Sequence, residues 1–149
     1  MRAVVQRVTR ASVTVDGAVA GAIERGLLVF VGVGVDDAEP AANQLAQKLL
    51  SLRIFPDGAG LMNRSVGEAG GSVLLVSQFT LLGDARRGRR PSFITAARED
   101  RAKPLYELVG HLVEREGIVV RYGIFGADMA VELVNDGPVT ILLDTAKTF

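Results

Sequence analysis

Cysteine is absent from these 149 residues, and histidine occurs once. Without cysteine there is no disulfide framework, no thiolate nucleophile and no Cys-type zinc site, so nothing suggests an oxidising compartment. His111 alone cannot supply a histidine-rich metal set, and no local Asp/Glu spacing resembles a calcium loop, so no metal and no other cofactor is expected. A net charge is missing too. Seventeen Lys and Arg balance 17 Asp and Glu, so the molecule as a whole has no field to gather a polyanion, and any nucleic-acid contact must come from a local patch. The longest apolar run, Gly26 to Val35, is far shorter than the ~20 residues needed to span a bilayer. Met1-Arg2-Ala3 leads into strand-like alternation and not into a signal sequence, so a cytoplasmic location with no membrane partner is expected. Gly32-Val33-Gly34 superficially suggests a nucleotide-binding turn, but the third glycine position holds Asp37, and no Gly-Lys-Ser/Thr sequence occurs. Those glycines are expected to allow close packing of strand against helix.

What is present is globular: 48% hydrophobic and 23% charged residues, one domain's worth of chain over residues 1–149, able to bury about two-thirds of its unfolded surface. Ala3 to Val8 and Ala11 to Val15 alternate apolar and polar, as half-buried strands do. Asp16-Gly17 is a hairpin turn signal with Ala18 to Ile23 as the return strand. Leu27 to Val31 and Ser72 to Gln78 are apolar on both faces and belong centrally in a sheet, with a glycine-rich loop, Gly67 to Gly71, before the second. Arg53-Ile54-Phe55 reads as a short strand entering the turn Pro56-Asp57-Gly58. One helix is predicted from a cap at Asp37 to about Leu50, and a second from about Asp100 to Glu116 with Pro104 in its first turn and Gly117 as its stop. Ile118 to Phe125, Met129 to Val134 and Val139 to Leu143 finish the chain as three strands. The fold class is therefore α/β in the mixed α+β sense: a layered β/β/α domain with mostly antiparallel, barrel-like sheets and two main helices on one side.

His111 lies opposite the apolar stripe of the second helix, on an open face from which a general base cannot reach a pocket, so a Ser-His-Asp arrangement is not expected. Two segments resist a plain structural reading. In the first, a buried strand ends in Ser77-Gln78-Phe79-Thr80-Leu81 and runs into a loop with Arg86, Arg87, Arg89 and Arg90, four arginines in five positions. Gln78 and Thr80 either satisfy backbone groups or face a ligand, since strand ends feeding loops are where ligands tend to bind. The arginines make either a solvated loop or a phosphate contact that relieves their mutual repulsion. The second segment is Asn135-Asp136-Gly137-Pro138-Val139-Thr140. Spacing alone favours a hairpin turn there, although a glycine followed by a cis proline can aim two carbonyl oxygens into a pocket with no side chain in the way.

Together the two segments resemble the signature pair of the D-aminoacyl-tRNA deacylase family, formerly called D-Tyr-tRNA deacylases. Met1 to Val13, Met62-Asn63, Gly70 to Leu74, Arg90 to Phe93 and Ala127-Asp128-Met129 resemble the family as well, so the likeness covers the chain from Met1 to about Leu143. The resemblance implies a hydrolase that cuts the ester bond of D-aminoacyl-tRNA. It implies that Ser77, Gln78, Phe79 and Thr80 line the pocket for the 3′-terminal adenosine and its amino acid, and that Gly137-Pro138 is cis. It also implies a homodimer in which that peptide enters the partner's site, so that the two sites are shared between subunits.

Such a peptide would exclude an L side chain by collision with backbone atoms that have no rotamers, and would ignore side-chain identity, so glycyl-tRNA should also be attacked. For the chemistry, backbone N–H groups of Phe79 and Thr80 are the favoured oxyanion donors, with water attacking beside the substrate's own 2′-hydroxyl. The Thr80 hydroxyl is the alternative, weak without an adjacent base. Gln78 is expected near the amino-acid moiety, and Phe79 or Phe93 against adenine. Arg7 either braces the Gly137 and Pro138 carbonyls or is a surface residue, and Arg86, Arg87, Arg89 and Arg90 are expected to meet tRNA phosphates. The rival readings are a noncatalytic tRNA-end-binding module and an esterase for small aminoacyl esters.

Overall fold

The computed structural model describes residues 1–149. Strand β1 (Arg2–Val15) is continuous where the sequence pattern suggests two strands. Thr9-Arg10 breaks the alternation, but the backbone stays extended because both of its edges find partners. One edge pairs with the last strand between Arg2 and Thr14, and the other with β3 (Gly26–Gly32) at Arg2 to Val8 and with β2 (Ala18–Ile23) at Ala11 to Val15. Asp16 and Gly17 have φ of 49° and 78°, the left-handed pair that a type I′ hairpin requires.

The first helix, α1 (Glu39–Ser51), carries the chain to a small hairpin of β4 (Phe55–Pro56) and β5 (Met62–Arg64), where the sequence suggests a strand two residues earlier. Asp57 organises its tip by accepting the N–H groups of Ala59 and Leu61 at 2.8 and 3.0 Å. Then come β6 (Ser72–Ser77), a 3-10 turn (Phe79–Leu82), α2 (Glu99–Arg115), β7 (Val120–Tyr122) and β8 (Ala130–Asp144). The main sheet runs β2-β1-β3-β6-β7, with β8 on the other edge of β1. β3, β6 and β7 are mutually parallel and every other pair is antiparallel. The helical crossovers that parallel neighbours need are α1 and α2. The sheet curls until β2 meets β7: a Cβ on Gly21 would stand 2.5 Å from the Tyr122 carbonyl oxygen, so glycine there permits the near closure.

Curling buries both faces of the central strands. Leu27, Val29, Val31, Val73 and Leu75 pack under the two helices, while Leu28, Leu74 and Val76 join Val8, Val13 and Ile23 inside the curl. That is why β3 and β6 read as apolar throughout. α1 buries Ala42, Leu45, Ala46 and Leu49, and α2 buries Leu105, Tyr106, Val109 and Val113.

Three further details depart from the sequence reading. Asp37 does not cap α1; the N-cap is Ala38, with no side-chain bond. The Asp37 carboxylate is already taken by the Met1 ammonium and the Gly34 N–H, each at 2.6 Å. Pro104 falls past the first turn of α2, because that helix starts at Glu99. The last two expected strands are one, and the Asn135–Thr140 segment does not turn back. Gln6 faces Thr140 and Val8 faces Asn135, so four residues of β8 stand opposite Arg7 alone. The Gly137-Pro138 peptide at the top of that excursion is cis.

Candidate active site

The site begins where β6 runs out of partners. Gln78 N–H still donates to Val31 C=O at 2.8 Å, and then the chain tightens into the 3-10 turn. Two features seat that turn on the end of β3. Leu82 is buried, and Gly32 leaves the necessary room, since a Cβ there would lie 2.6 Å from Leu82 Cδ2 and 2.9 Å from the Gln78 carbonyl oxygen. Arg2 ties the turn to β1 by donating to Leu81 C=O at 3.0 Å. The turn's own hydrogen bonds begin at the Leu81 N–H, which leaves those of Phe79 and Thr80 without an acceptor inside it. Both residues are exposed.

Beside the turn lies a cavity of about 450 Å³. Val31 and Val33 line it together with Ser77, Gln78 and Phe79, and the loop 125–129 closes another side with Phe125, Asp128 and Met129. Thr80 stands outside this lining, its hydroxyl accepting a hydrogen bond from the Gln78 amide. Sequence reasoning missed the 125–129 loop as part of a site; its one signal was the family-like Ala127-Asp128-Met129. Phe93 meets Phe79 edge to face, with ring centroids 5.2 Å apart, and both rings are partly open to solvent.

Phe93 also connects this cavity to the arginines. Asp84 and Ser92 exchange backbone hydrogen bonds at 2.8 and 2.9 Å, closing a loop that carries Arg86, Arg87, Arg89 and Arg90, all exposed, with Gly88 at φ 73° between them. The four are not equivalent. Arg86 grips Asp84 through Nε and Nη2 at 2.8 and 2.6 Å, and its guanidinium holds the Asp84 carboxyl well below the usual carboxylate range. Arg87, Arg89 and Arg90 have no ion pair, so three uncompensated charges face solvent there. His111 is exposed on α2, and its one polar partner is the Glu114 carboxylate, at 3.1 Å.

The second sequence-derived segment lies elsewhere on the chain. Gly137 and Pro138 are exposed, and Arg7 is nearly buried beneath them, its side chain 11% accessible. Arg7 Nε donates to the Asp136 carbonyl at 3.1 Å and pairs with the Asp136 carboxylate at 2.9 Å, while Nη1 donates to Ile54 C=O at 2.5 Å. The brace expected on the Gly137 and Pro138 carbonyls is therefore made one residue earlier, where a carboxylate competes for the guanidinium. Asn135, to which the sequence reading gave no role, donates its amide to the carbonyls of Arg7 and Val139 at 2.9 and 3.1 Å.

One chain does not bring the two segments together. The 3-10 turn sits beside Arg2 and Gly32, which pair with each other, whereas the Gly137-Pro138 tip is held at Arg7. Arg7 lies five residue steps beyond Arg2, roughly 16 Å along β1.

Residues 4–144 match the family described as D-Tyr-tRNA(Tyr) deacylase. The chain is 61% identical to the D-aminoacyl-tRNA deacylase of Anaeromyxobacter dehalogenans and 58% identical to that of Thermotoga petrophila, in each case over 100% of both proteins. Among solved structures, the c-Myc DNA Unwinding Element Binding Protein superposes with a TM-score of 0.90 at 40% identity, over 97% of this chain and 99% of its own. A "probable eukaryotic D-amino acid tRNA deacylase" shares the fold at 21% identity, with a TM-score of 0.79 over 95% of this chain and 97% of its own.

Proposed function

We propose, from the premise that this chain belongs to the D-Tyr-tRNA(Tyr) deacylase family and is a D-aminoacyl-tRNA deacylase, that two copies complete each other's sites. In this reading the 3-10 turn and cavity of one subunit receive the terminal adenosine and its amino acid, and the Gly137-Pro138 tip of the other meets the amino acid's α-carbon. The observation that supports it is the separation described above: two exposed, well-held pieces of backbone that a single chain keeps apart.

The chemistry asked of the protein is modest. An aminoacyl ester is already activated, so holding it and stabilising the oxyanion supply most of the catalysis. The Phe79 and Thr80 N–H groups suit that task because the turn gives them no acceptor of its own. Water attacks the carbonyl carbon, the 2′-hydroxyl of the terminal ribose assists, and the 3′-oxygen leaves with a proton. Gln78 lies within the cavity near the amino-acid moiety, one of the Phe79 and Phe93 rings stacks on adenine, and Arg87, Arg89 and Arg90 meet backbone phosphates in the cytoplasm's tRNA pool. Phosphate contacts carry no base information, which suits an enzyme that meets many tRNAs.

Selection by hand then follows from backbone alone. An L side chain runs into the tip, a D side chain points away from it, and glycine has nothing to exclude. Matched D- and L-aminoacyl-tRNA, each followed for ester loss, test the reading: rapid hydrolysis of the D form and of glycyl-tRNA with the L form spared is expected, and equal rates on both hands would refute it.

A further inference from the structure

The excursion of β8 over Arg7 loses its ladder hydrogen bonds, yet it is not left loose. Between the pairs Gln6 with Thr140 and Val8 with Asn135, β1 has one residue and β8 has four. Backbone groups at such a mismatch must find other partners or remain unpaired. Asp136 is held by Arg7. The feet of the excursion are held by Asn135. Its amide nitrogen has two hydrogens, and they go to two carbonyls, that of Arg7 on the neighbouring strand and that of Val139 where β8 resumes. One side chain thus replaces the missing cross-strand link and closes the excursion on itself.

Asn135 also crowds position 137. A Cβ built on Gly137 would fall 2.4 Å from Asn135 Oδ1 and 3.2 Å from its Cγ. Gly137 has no positive φ, so its backbone angles alone do not require glycine. A side chain at 137 would instead have to displace the Asn135 amide from its two carbonyl partners.

We infer that Asn135 is a positioning residue for stereochemical selection: its amide sets the height and orientation of the Gly137-Pro138 tip from within the same chain. The inference rests on the reading that this tip meets the substrate. Arg7 and Asn135 divide the work, the guanidinium gripping one flank at Asp136 and the amide joining the two feet. Asn135→Asp keeps the shape but replaces the donor with an anion facing two carbonyl oxygens. Asn135→Ala removes the donor and the obstacle to a side chain at 137 together.

The test compares the ratio of D- to L-aminoacyl-tRNA hydrolysis in wild type, Asn135→Asp, Asn135→Ala, Gly137→Ala and the Asn135→Ala/Gly137→Ala double variant, with thermal unfolding measured on each. The ratio is the informative readout because partial unfolding lowers both rates together and leaves their quotient unchanged. Both Asn135 variants are expected to lower it by about tenfold to about a hundredfold, the loss typical of a displaced positioning group. Adding Gly137→Ala to Asn135→Ala is expected to cost less than Gly137→Ala in the wild-type chain, since the colliding amide is gone. If Gly137→Ala changes the ratio and neither Asn135 variant does, the role assigned to Asn135 is wrong and the tip reading stands. If Gly137→Ala leaves the ratio at its wild-type value, the tip reading itself falls, and this inference with it.

Discussion

The side-chain amide of Gln78 donates to the hydroxyl of Thr80 across 2.5 Å. An amide nitrogen has no affinity for a proton at neutral pH, so this contact cannot activate the hydroxyl, and no histidine or carboxylate bonds to it. A threonine nucleophile in this setting lacks the base it needs. Thr80→Ala is expected to keep single-turnover deacylation within about tenfold of wild type, the order of one lost hydrogen bond. A tRNA ending in 2′-deoxyadenosine is expected to react about a hundredfold more slowly or worse, as loss of an acid–base group does. Abolished turnover in Thr80→Ala with unchanged tRNA binding would return the hydroxyl to the mechanism.

Arg86 is matched by Asp84, while its three neighbours are not. Each of Arg87→Ala, Arg89→Ala and Arg90→Ala is expected to weaken tRNA binding and to reduce the slope of log affinity against log salt by about 0.7 to 0.9 if it meets one phosphate. Arg86→Ala is expected to change that slope least. Equal changes from all four would mean that the Asp84 pairing opens on binding.

Gly32 is the seat of the 3-10 turn, and an added methyl group there meets both the Leu82 side chain and the Gln78 carbonyl. Gly32→Ala is expected to cost about 1–3 kcal/mol of stability as an overpacked contact. Deacylation is expected to fall by about a hundredfold, because the Phe79 and Thr80 N–H groups move. Chemical denaturation and single-turnover rates check the two effects separately. A variant that unfolds as predicted but reacts at the wild-type rate would show that the turn does not hold the reacting carbonyl.

Stability against pH should be flat in the middle and fall at both ends. The carboxyls of Asp57, Glu68 and Asp84 are held below their ordinary values by the backbone N–H of Leu61, the backbone N–H of Ser65 and the Arg86 side chain respectively. A depressed folded-state value stabilises the protein above the unfolded value, and that contribution disappears as pH drops. Tyr106 has the opposite sign: burial raises its phenol, which donates to Leu75 C=O at 2.7 Å, so its contribution is present below the ordinary tyrosine value and lost above it. Melting temperature is expected to hold steady between about pH 5 and 9 and to fall outside that window. Asp57→Asn should flatten the acid side and Tyr106→Phe the alkaline side; a steep change between about pH 6 and 8 would contradict these assignments.

Much of this was legible in the sequence, and the reasons differ by element. β2 and the Asp16-Gly17 hairpin follow from local chemistry, since the turn needs two residues that accept positive φ. β3 and β6 announced themselves as central because both of their faces are apolar. The continuity of β1 and β8 was hidden, because what keeps each extended is a partner strand distant in sequence. Asn-Asp-Gly-Pro is sound turn chemistry, and here it bends a strand outward without reversing it. Ser77 to Phe79, the polar end of a buried strand, could be expected beside a cavity, and they line one. The share of the 125–129 loop in that lining and the two hydrogen bonds of the Asn135 amide could not, because they depend on which segments the curled sheet brings together. Pairing within the arginine run was equally invisible, although Asp84 stands two residues before Arg86.

The central claim is that each site takes its 3-10 turn from one copy and its Gly137-Pro138 tip from another. Mixing subunits tests it directly. Gly32→Ala spoils the turn, so its sites hydrolyse little of either hand, whereas Gly137→Ala spoils the tip, so its sites admit the L hand. In a mixed dimer one site collects both defects and the other collects neither. Refolding the two variants together at equal amounts should therefore leave L-aminoacyl-tRNA hydrolysis at about one quarter of that shown by the same total amount of Gly137→Ala alone, because only the dimers of two Gly137→Ala chains pair a sound turn with a spoiled tip. About one half of that rate would mean that each chain builds its site alone, and would contradict the account.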